Sequence, residues 1–312
     1  MRNRPRPRSN DPRPAPQHGG PAKSHVEATR AERAPRDDEG ALELTFGLRA
    51  ALSVFAHRRD DIVRVAYEPA LLDDRGVSEL VRFADERGLA VGELVARELE
   101  RFAGTGLHEG LCVEARARRW VPAGELGDRL IAARSGRGGV ALALDRVRNP
   151  YNVGAILRTA AFFGVDAVLL GAPAPHPALA ADAVRVAEGG CEALSLSRTT
   201  DLADSLKRLR ARGVRVVGAD SDPRETASAL GYRFGAPTVL VVGHEREGLS
   251  DRVLAQCDAR VTIAGSGAVE SLNVAVATGV LVSELVRGLA ASPSPTSPGP
   301  ASSRTALSRG PR

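Results

Sequence analysis

From Val140 onward the chain alternates short, mostly apolar runs with amphipathic stretches, and this alternation constrains its fold more than any other feature. Val140 to Leu144, Ala167 to Gly171, Val214 to Gly218 and Thr238 to Gly243 read as buried strands, and Arg260 to Ile263 as another. Between them, helices are predicted from about Val153 to Phe163, from Leu202 to Arg212 and from Asn273 to Leu289. The first stops at Gly164, and the second lines up Leu202, Leu206 and Leu209 on one face. A strand that is apolar on both faces needs cover on both faces. The predicted fold is therefore α/β, with a mainly parallel sheet between helical layers. Such sheets bind ligands beyond the carboxyl ends of their strands.

A smaller α/β unit precedes it, over residues 46–117. Gly47 to about His57, Val77 to Arg87 and Leu94 to Phe102 are predicted helices, and Ile62 to Tyr67 and Leu111 to Ala115 predicted strands. Residues 118–138 read as a linker with one helix, and 139–290 as the larger domain. The flanks differ in chemistry. Residues 1–40 hold nine basic and six acidic side chains, residues 291–312 three basic and none acidic, and the two stretches hold 12 of the 20 prolines. The body keeps 31 basic and 32 acidic residues, so the net charge of +5 resides in the flanks. Segments 1–45 and 291–312 are predicted as disordered tails, because they offer too little apolar surface to offset ordering entropy. Their arginines suit attraction to phosphate backbones, or simple solubility.

No apolar run approaches the roughly 18 residues of a membrane span, and no secretory h-region is visible. Cys112, Cys191 and Cys257 are odd in number and widely spaced, which argues against a disulfide framework and a zinc cluster, and fits a reducing cytoplasm.

Three loops stand at predicted strand ends. The first, Arg148-Asn149-Pro150-Tyr151-Asn152-Val153-Gly154, leads into a helix bearing Arg158, with Asn152 as the expected cap; a helix N-terminus and an arginine together suit an anion. In the second, Gly243-His244-Glu245-Arg246-Glu247-Gly248, two glycines bracket acid–base groups. It lacks the Gly-Lys-Ser/Thr ending of a P-loop, and no Gly-x-Gly-x-x-Gly dinucleotide fingerprint occurs. His244 reads as a solvated turn residue. The third, Gly265-Ser266-Gly267 through Glu270-Ser271-Leu272-Asn273, enters the last helix, with Ser271 or Asn273 able to start it. No histidine sits at nucleophile-elbow spacing, so a serine hydrolase is disfavoured.

Asn152-x-Gly154-Ala155-x-x-Arg158-Thr159-Ala160, Gly243-x-Glu245-x-x-Gly248-Leu249-Ser250 and Glu270-Ser271-Leu272-Asn273-Val274 resemble the three ordered motifs of the SpoU (TrmH-type) RNA ribose methyltransferases. The resemblance covers about residues 140–290. Phe46-Gly47-Leu48-Arg49-Ala50 and Gly106-Leu107-His108-Glu109-Gly110 are similar to the L30e-like substrate-binding domain found ahead of many members, with His108 as a turn residue. The resemblance implies a trefoil knot at the C-terminal end of the sheet, a rare departure from unknotted connections. It also implies S-adenosylmethionine as cofactor, a homodimer sharing its active sites, and methyl transfer to a ribose 2′-hydroxyl. No metal is implied.

By position in those motifs, Gly243, Ile263 and Leu272 resemble the residues that grip the cofactor, and Asn152, Arg158, Glu245, Ser271 and Asn273 the catalytic set. The family assigns activation of the hydroxyl to the Arg158 position. A guanidinium titrates above about 12 and is not an ordinary base. It either stabilises a forming alkoxide, which demands less, or takes the proton in a desolvated site. Ribosomal RNA is favoured over transfer RNA as substrate. A catalytically silent RNA-binding or ribosome-assembly factor of the same fold is the alternative, although none of the three motifs is broken. A nucleotide-binding oxidoreductase is disfavoured by the missing glycine fingerprint.

Overall fold

Residues 42–46, at the edge of the predicted tail, form the first strand. The computed structural model describes residues 40–136, 138–171, 179–221 and 226–290. The rest of the predicted tails, 1–39 and 291–312, lies outside the described residues. Strand β1 (Leu42–Phe46) is followed by α1 (Leu48–Arg58), β2 (Ile62–Tyr67), α2 (Arg75–Glu86), β3 (Ala90–Glu93), α3 (Ala96–Ala103) and β4 (Leu111–Arg116). These strands form a sheet in the order β1-β4-β2-β3. β4 runs antiparallel to both β1 and β2, and β3 runs parallel to β2.

Helix α2 shows how the sequence builds this unit. The Asp74 carboxylate accepts from Gly76 N at 2.8 Å and Val77 N at 3.1 Å, satisfying two donors that a helix start leaves open. Val77, Leu80, Val81 and Ala84 recur at helical spacing and are buried under the sheet with Val65 and Val113. The sequence reading missed β1 and β3. Both are short edge strands, and β3 (Ala-Val-Gly-Glu) carries no apolar run.

The connection at 118–138 is packed rather than free. Its helix α4 (Ala123–Gly136) buries Leu126 and Leu130 among Leu206 and Leu209. Then follow β5 (Val140–Asp145), α5 (Pro150–Phe162), β6 (Ala167–Gly171), α6 (Ala181–Val186), α7 (Gly190–Ala193), β7 (Ser195–Thr199), α8 (Leu202–Ala211) and β8 (Arg215–Ala219). After them come β9 (Ala227–Ser228), β10 (Thr238–Gly243), α9 (Asp251–Leu254), β11 (Ala259–Thr262) and α10 (Val274–Ala290). The second sheet has the order β7-β6-β5-β10-β8-β11-β9, and each of its pairings is parallel.

Adjacent residues of its central strands serve opposite cores. Val140, Leu142, Leu144, Leu240 and Val242 pack in one cluster, with Ile156, Leu157 and Leu285. Ala141, Ala143, Val239 and Val241 pack in the other, with Leu206 and Val253. Cover on both faces is what the apolar runs required.

The two sheets meet at a network of buried charge. Arg118 reaches Glu43 of β1 at 3.1 Å and Glu192 of α7 at 3.3 Å. Arg58, from the end of α1, pairs with Glu192 at 2.8 Å and also with Glu43. The side chains of Arg118 and Glu192 are only 7% and 5% exposed. Removing Arg118 leaves the two carboxylates, Glu43 and the buried Glu192, sharing the single guanidinium of Arg58. Arg118→Met is therefore expected to cost about 3–5 kcal/mol of stability, read by denaturant unfolding. A loss below about 1 kcal/mol would mean the network is as weak as surface pairs are. Burial also pushes the thiols up, to about 12 at Cys112 and Cys191 and about 11 at Cys257. They stay protonated near neutrality and serve as packing groups.

Candidate active site

The three motif loops follow the carboxyl ends of β5, β10 and β11. β5 and β10 are parallel neighbours, with Asp145 opposite Gly243, so their loops emerge side by side. Asp145 is buried, and its carboxylate accepts from Ser250 N at 2.7 Å, which ties the far end of the second loop to the first strand.

The second loop is a tight turn. His244 N donates to Gly248 O at 3.1 Å, and Gly248 N returns a bond to His244 O at 2.9 Å. His244 Nδ1 accepts from Arg246 N at 3.2 Å, so the imidazole of this partly exposed turn residue also stabilises the turn. Arg146 clamps the turn from outside, through Glu247 at 2.5 Å and Gly248 O at 3.1 Å. A methyl group on Gly243 would lie 2.4 Å from Gly248 O. Only glycine lets the strand end and the returning backbone approach so closely.

Helix α5 starts earlier than expected, and Asn152 is not its cap. Pro150 takes the first helical position, where its fixed φ fits and its missing N–H is no loss. Asn149 therefore caps, accepting from Tyr151 N at 2.9 Å and Asn152 N at 3.4 Å. This leaves the Asn152 amide free. Its Nδ2 donates to Glu245 Oε1, and its Oδ1 accepts from Asn273 Nδ2 at 3.1 Å. Asn273 in turn caps α10, its Oδ1 accepting from Ala275 N at 2.9 Å and Val276 N at 3.3 Å. One chain of side-chain amides and a carboxylate thus joins all three motifs.

Arg158 is held elsewhere. Six residues along α5 from Asn152, it is turned about 120° around the helix and pairs with Glu188 at 2.8 Å. Glu188 lies in the left-handed region at φ 45° and also faces Arg49 of α1 at 3.8 Å. Within one chain, Arg158 does not join the Asn152–Glu245–Asn273 chain. Ser271 and Leu272 lie on the exposed third loop, and Ile263 is half-buried where that loop leaves β11. Residues 264–273 are exposed throughout, and no atom lies within 4 Å of where a side chain on Gly265 or Gly267 would begin.

Sequence reasoning missed Asp145, Arg146 and Asn149, which position the first two loops. The Asn-Pro pair was a legible signal for Asn149. Among the described residues, no cluster of three or more His, Cys, Asp or Glu side chains is arranged to hold a metal ion.

A parallel sheet covered on both faces, with polar loops interlinked at the carboxyl ends of its strands, is the arrangement of an α/β fold that binds ligands at those ends. Residues 139–283 match the SpoU rRNA Methylase family. An uncharacterised tRNA/rRNA methyltransferase of Mycolicibacterium vanbaalenii is 33% identical over 270 residues, covering 84% of each chain. The 23S rRNA (guanosine-2′-O-)-methyltransferase RlmB of Pseudomonas aeruginosa is 34% identical, over 78% of this chain and 96% of its own. Among solved structures, an AdoMet-bound rRNA methyltransferase of Sinorhizobium meliloti superposes with a TM-score of 0.64 at 25% identity, over 80% of this chain and 88% of that one. The chain belongs to the SpoU rRNA methylase family, the SpoU/TrmH-type RNA methyltransferases.

Proposed function

We propose that this chain transfers the methyl group of S-adenosylmethionine to a ribose 2′-hydroxyl of RNA, with ribosomal RNA favoured over transfer RNA. The observation that carries the reading is the Asn152–Glu245–Asn273 chain, which locks three separate loops into one constellation at the strand ends. The preference for ribosomal RNA is supported by the 23S rRNA relative.

The cofactor supplies a methyl group already activated on a sulfonium. The chain's own residues must bind it and align it with the hydroxyl, whose proton leaves to solvent. Gly243, Ile263 and Leu272 would hold it, at the ends of β10 and β11 and ahead of α10. The exposed side chains of Val269 and Leu272 suit the flat face of the cofactor's adenine ring, and the open backbone at 264–273 its polar edge. Asn152, Glu245, Ser271 and Asn273 would orient the ribose, so that hydroxyl oxygen, methyl carbon and sulfur stand in line. Arg158 would stabilise the forming alkoxide electrostatically. The unit at 46–117, taken as L30e-like, would present the RNA to a knotted domain at 139–290.

The active unit is a homodimer in this reading, because a second copy can bring an Arg158 to the triad that its own chain does not. Phe162 is 83% exposed at the end of α5, and Val276 is 56% exposed on α10, which packs against α5. Placing aspartate at both, Phe162→Asp with Val276→Asp, is expected to shift the protein from dimer to monomer in sedimentation and to reduce methyl transfer with it. A variant that stays dimeric would place the interface elsewhere.

Among the described residues no helix is long and apolar enough to cross a membrane. The cytoplasm is the compartment expected for this activity. Calorimetry with S-adenosylmethionine and with NAD tests the cofactor, and sizing of labelled RNA chooses the substrate. Binding of NAD alone would overturn the reading.

A further inference from the structure

We infer that Arg148 and Arg246 form a clamp for a backbone phosphodiester of the RNA, beside the ribose that is methylated; this rests on the reading of the reaction given above. The two residues share a cleft of about 430 Å³ with Asn149, His244 and Glu245. Arg148 follows β5 and Arg246 follows β10, so the parallel pairing of those strands sets the two guanidiniums on one rim.

The arginines of this region are not equivalent. Arg146 is committed to Glu247, Asp145 and the Gly248 carbonyl. The side chains of Arg148 and Arg246 are exposed and make no hydrogen bond or ion pair among the described residues. The one carboxylate lining the cleft, Glu245, receives the Asn152 amide. Two uncompensated cations in one cleft repel each other, and an anion between them removes that cost. The start of α5, capped by Asn149, adds partial positive charge at the same wall. Guanidiniums favour phosphate, which they bind in bidentate fashion. The catalytic Asn152–Glu245 contact adjoins the cleft, so a phosphate bound there belongs to a nucleotide next to the reacting ribose.

The same chemistry would suit the carboxylate of S-adenosylmethionine, and the test separates the two. Full-length protein carrying Arg148→Gln, Arg246→Gln or both is compared with wild type and with Arg129→Gln. That last variant removes a remote charge on α4, where Arg129 pairs with Glu125. RNA affinity is measured across a salt series, S-adenosylmethionine affinity by calorimetry, and methyl transfer as KM and kcat.

Each cleft variant is expected to weaken RNA binding about tenfold, and to reduce the slope of log affinity against log salt by about 0.7 for single-stranded RNA. The loss appears in KM for RNA rather than in cofactor affinity. An unchanged slope, an equal change in Arg129→Gln, or weaker cofactor binding with RNA binding intact would overturn the clamp. Wild type that binds RNA but transfers no methyl would overturn the reaction instead, while the salt slopes still decide the clamp. Wild type that binds no RNA would overturn both.

Discussion

Arg158→Ala lowers kcat for methyl transfer by about 10²–10³, the usual cost of removing one preorganised charge from a forming oxyanion, and leaves S-adenosylmethionine affinity unchanged. The reacting hydroxyl must lose a proton as its oxygen attacks the methyl carbon. A guanidinium next to that oxygen favours the charge without taking the proton itself, which leaves to solvent. Arg158 is suited to this because it is half-exposed at the surface of α5 and held by a single carboxylate, Glu188, at 2.8 Å. Lysine at 158 keeps the charge but loses the planar fork, so Arg158→Lys recovers only part of the rate. A pre-steady-state comparison of the three proteins with saturating cofactor reads this directly. Loss of cofactor binding in Arg158→Ala would reassign the residue from the acceptor side to the cofactor side.

Gly243→Val removes cofactor binding altogether and costs at least about 1–3 kcal/mol of stability, as overpacking does. The added side chain begins 2.4 Å from Gly248 O and 2.5 Å from Gly248 C, both backbone atoms that no rotamer change can move. Relief requires opening the His244–Gly248 turn, and with it the contacts that Arg146 makes to Glu247 and Gly248. Gly265→Ala is the matched control, because nothing lies within 4 Å of the new methyl group. Calorimetry is expected to show binding in Gly265→Ala and none in Gly243→Val. Equal affinities in the two would mean the second loop does not carry the cofactor.

The large sheet was legible because β5, β6, β8 and β10 are buried on both faces and so had to be apolar along their length. Edge strands escape that demand. β7 (Ser-Leu-Ser-Arg-Thr) and β3 sit at sheet borders, and neither shows an apolar run. Strand β1 was hidden by its place beside the Pro- and Arg-rich segment, although Phe46 is buried. At the site, the motifs located the loops but not their connections. Asn152 stands where the sequence predicts a cap; Pro150 moves the helix start back to Asn149 and releases Asn152 for Glu245 and Asn273. The Glu188 contact of Arg158 depends on a left-handed turn between α6 and α7, for which Glu188 carries no local signal. The shared cleft of Arg148 and Arg246 depends on β5 lying beside β10, a strand order that periodicity alone does not give.

The most direct test is methyl transfer from labelled S-adenosylmethionine to undermodified total RNA by the wild-type protein, followed by digestion to nucleosides. The account predicts label in a 2′-O-methyl nucleoside. Label on a base, or no label while the cofactor is bound and RNA is retained, would contradict it.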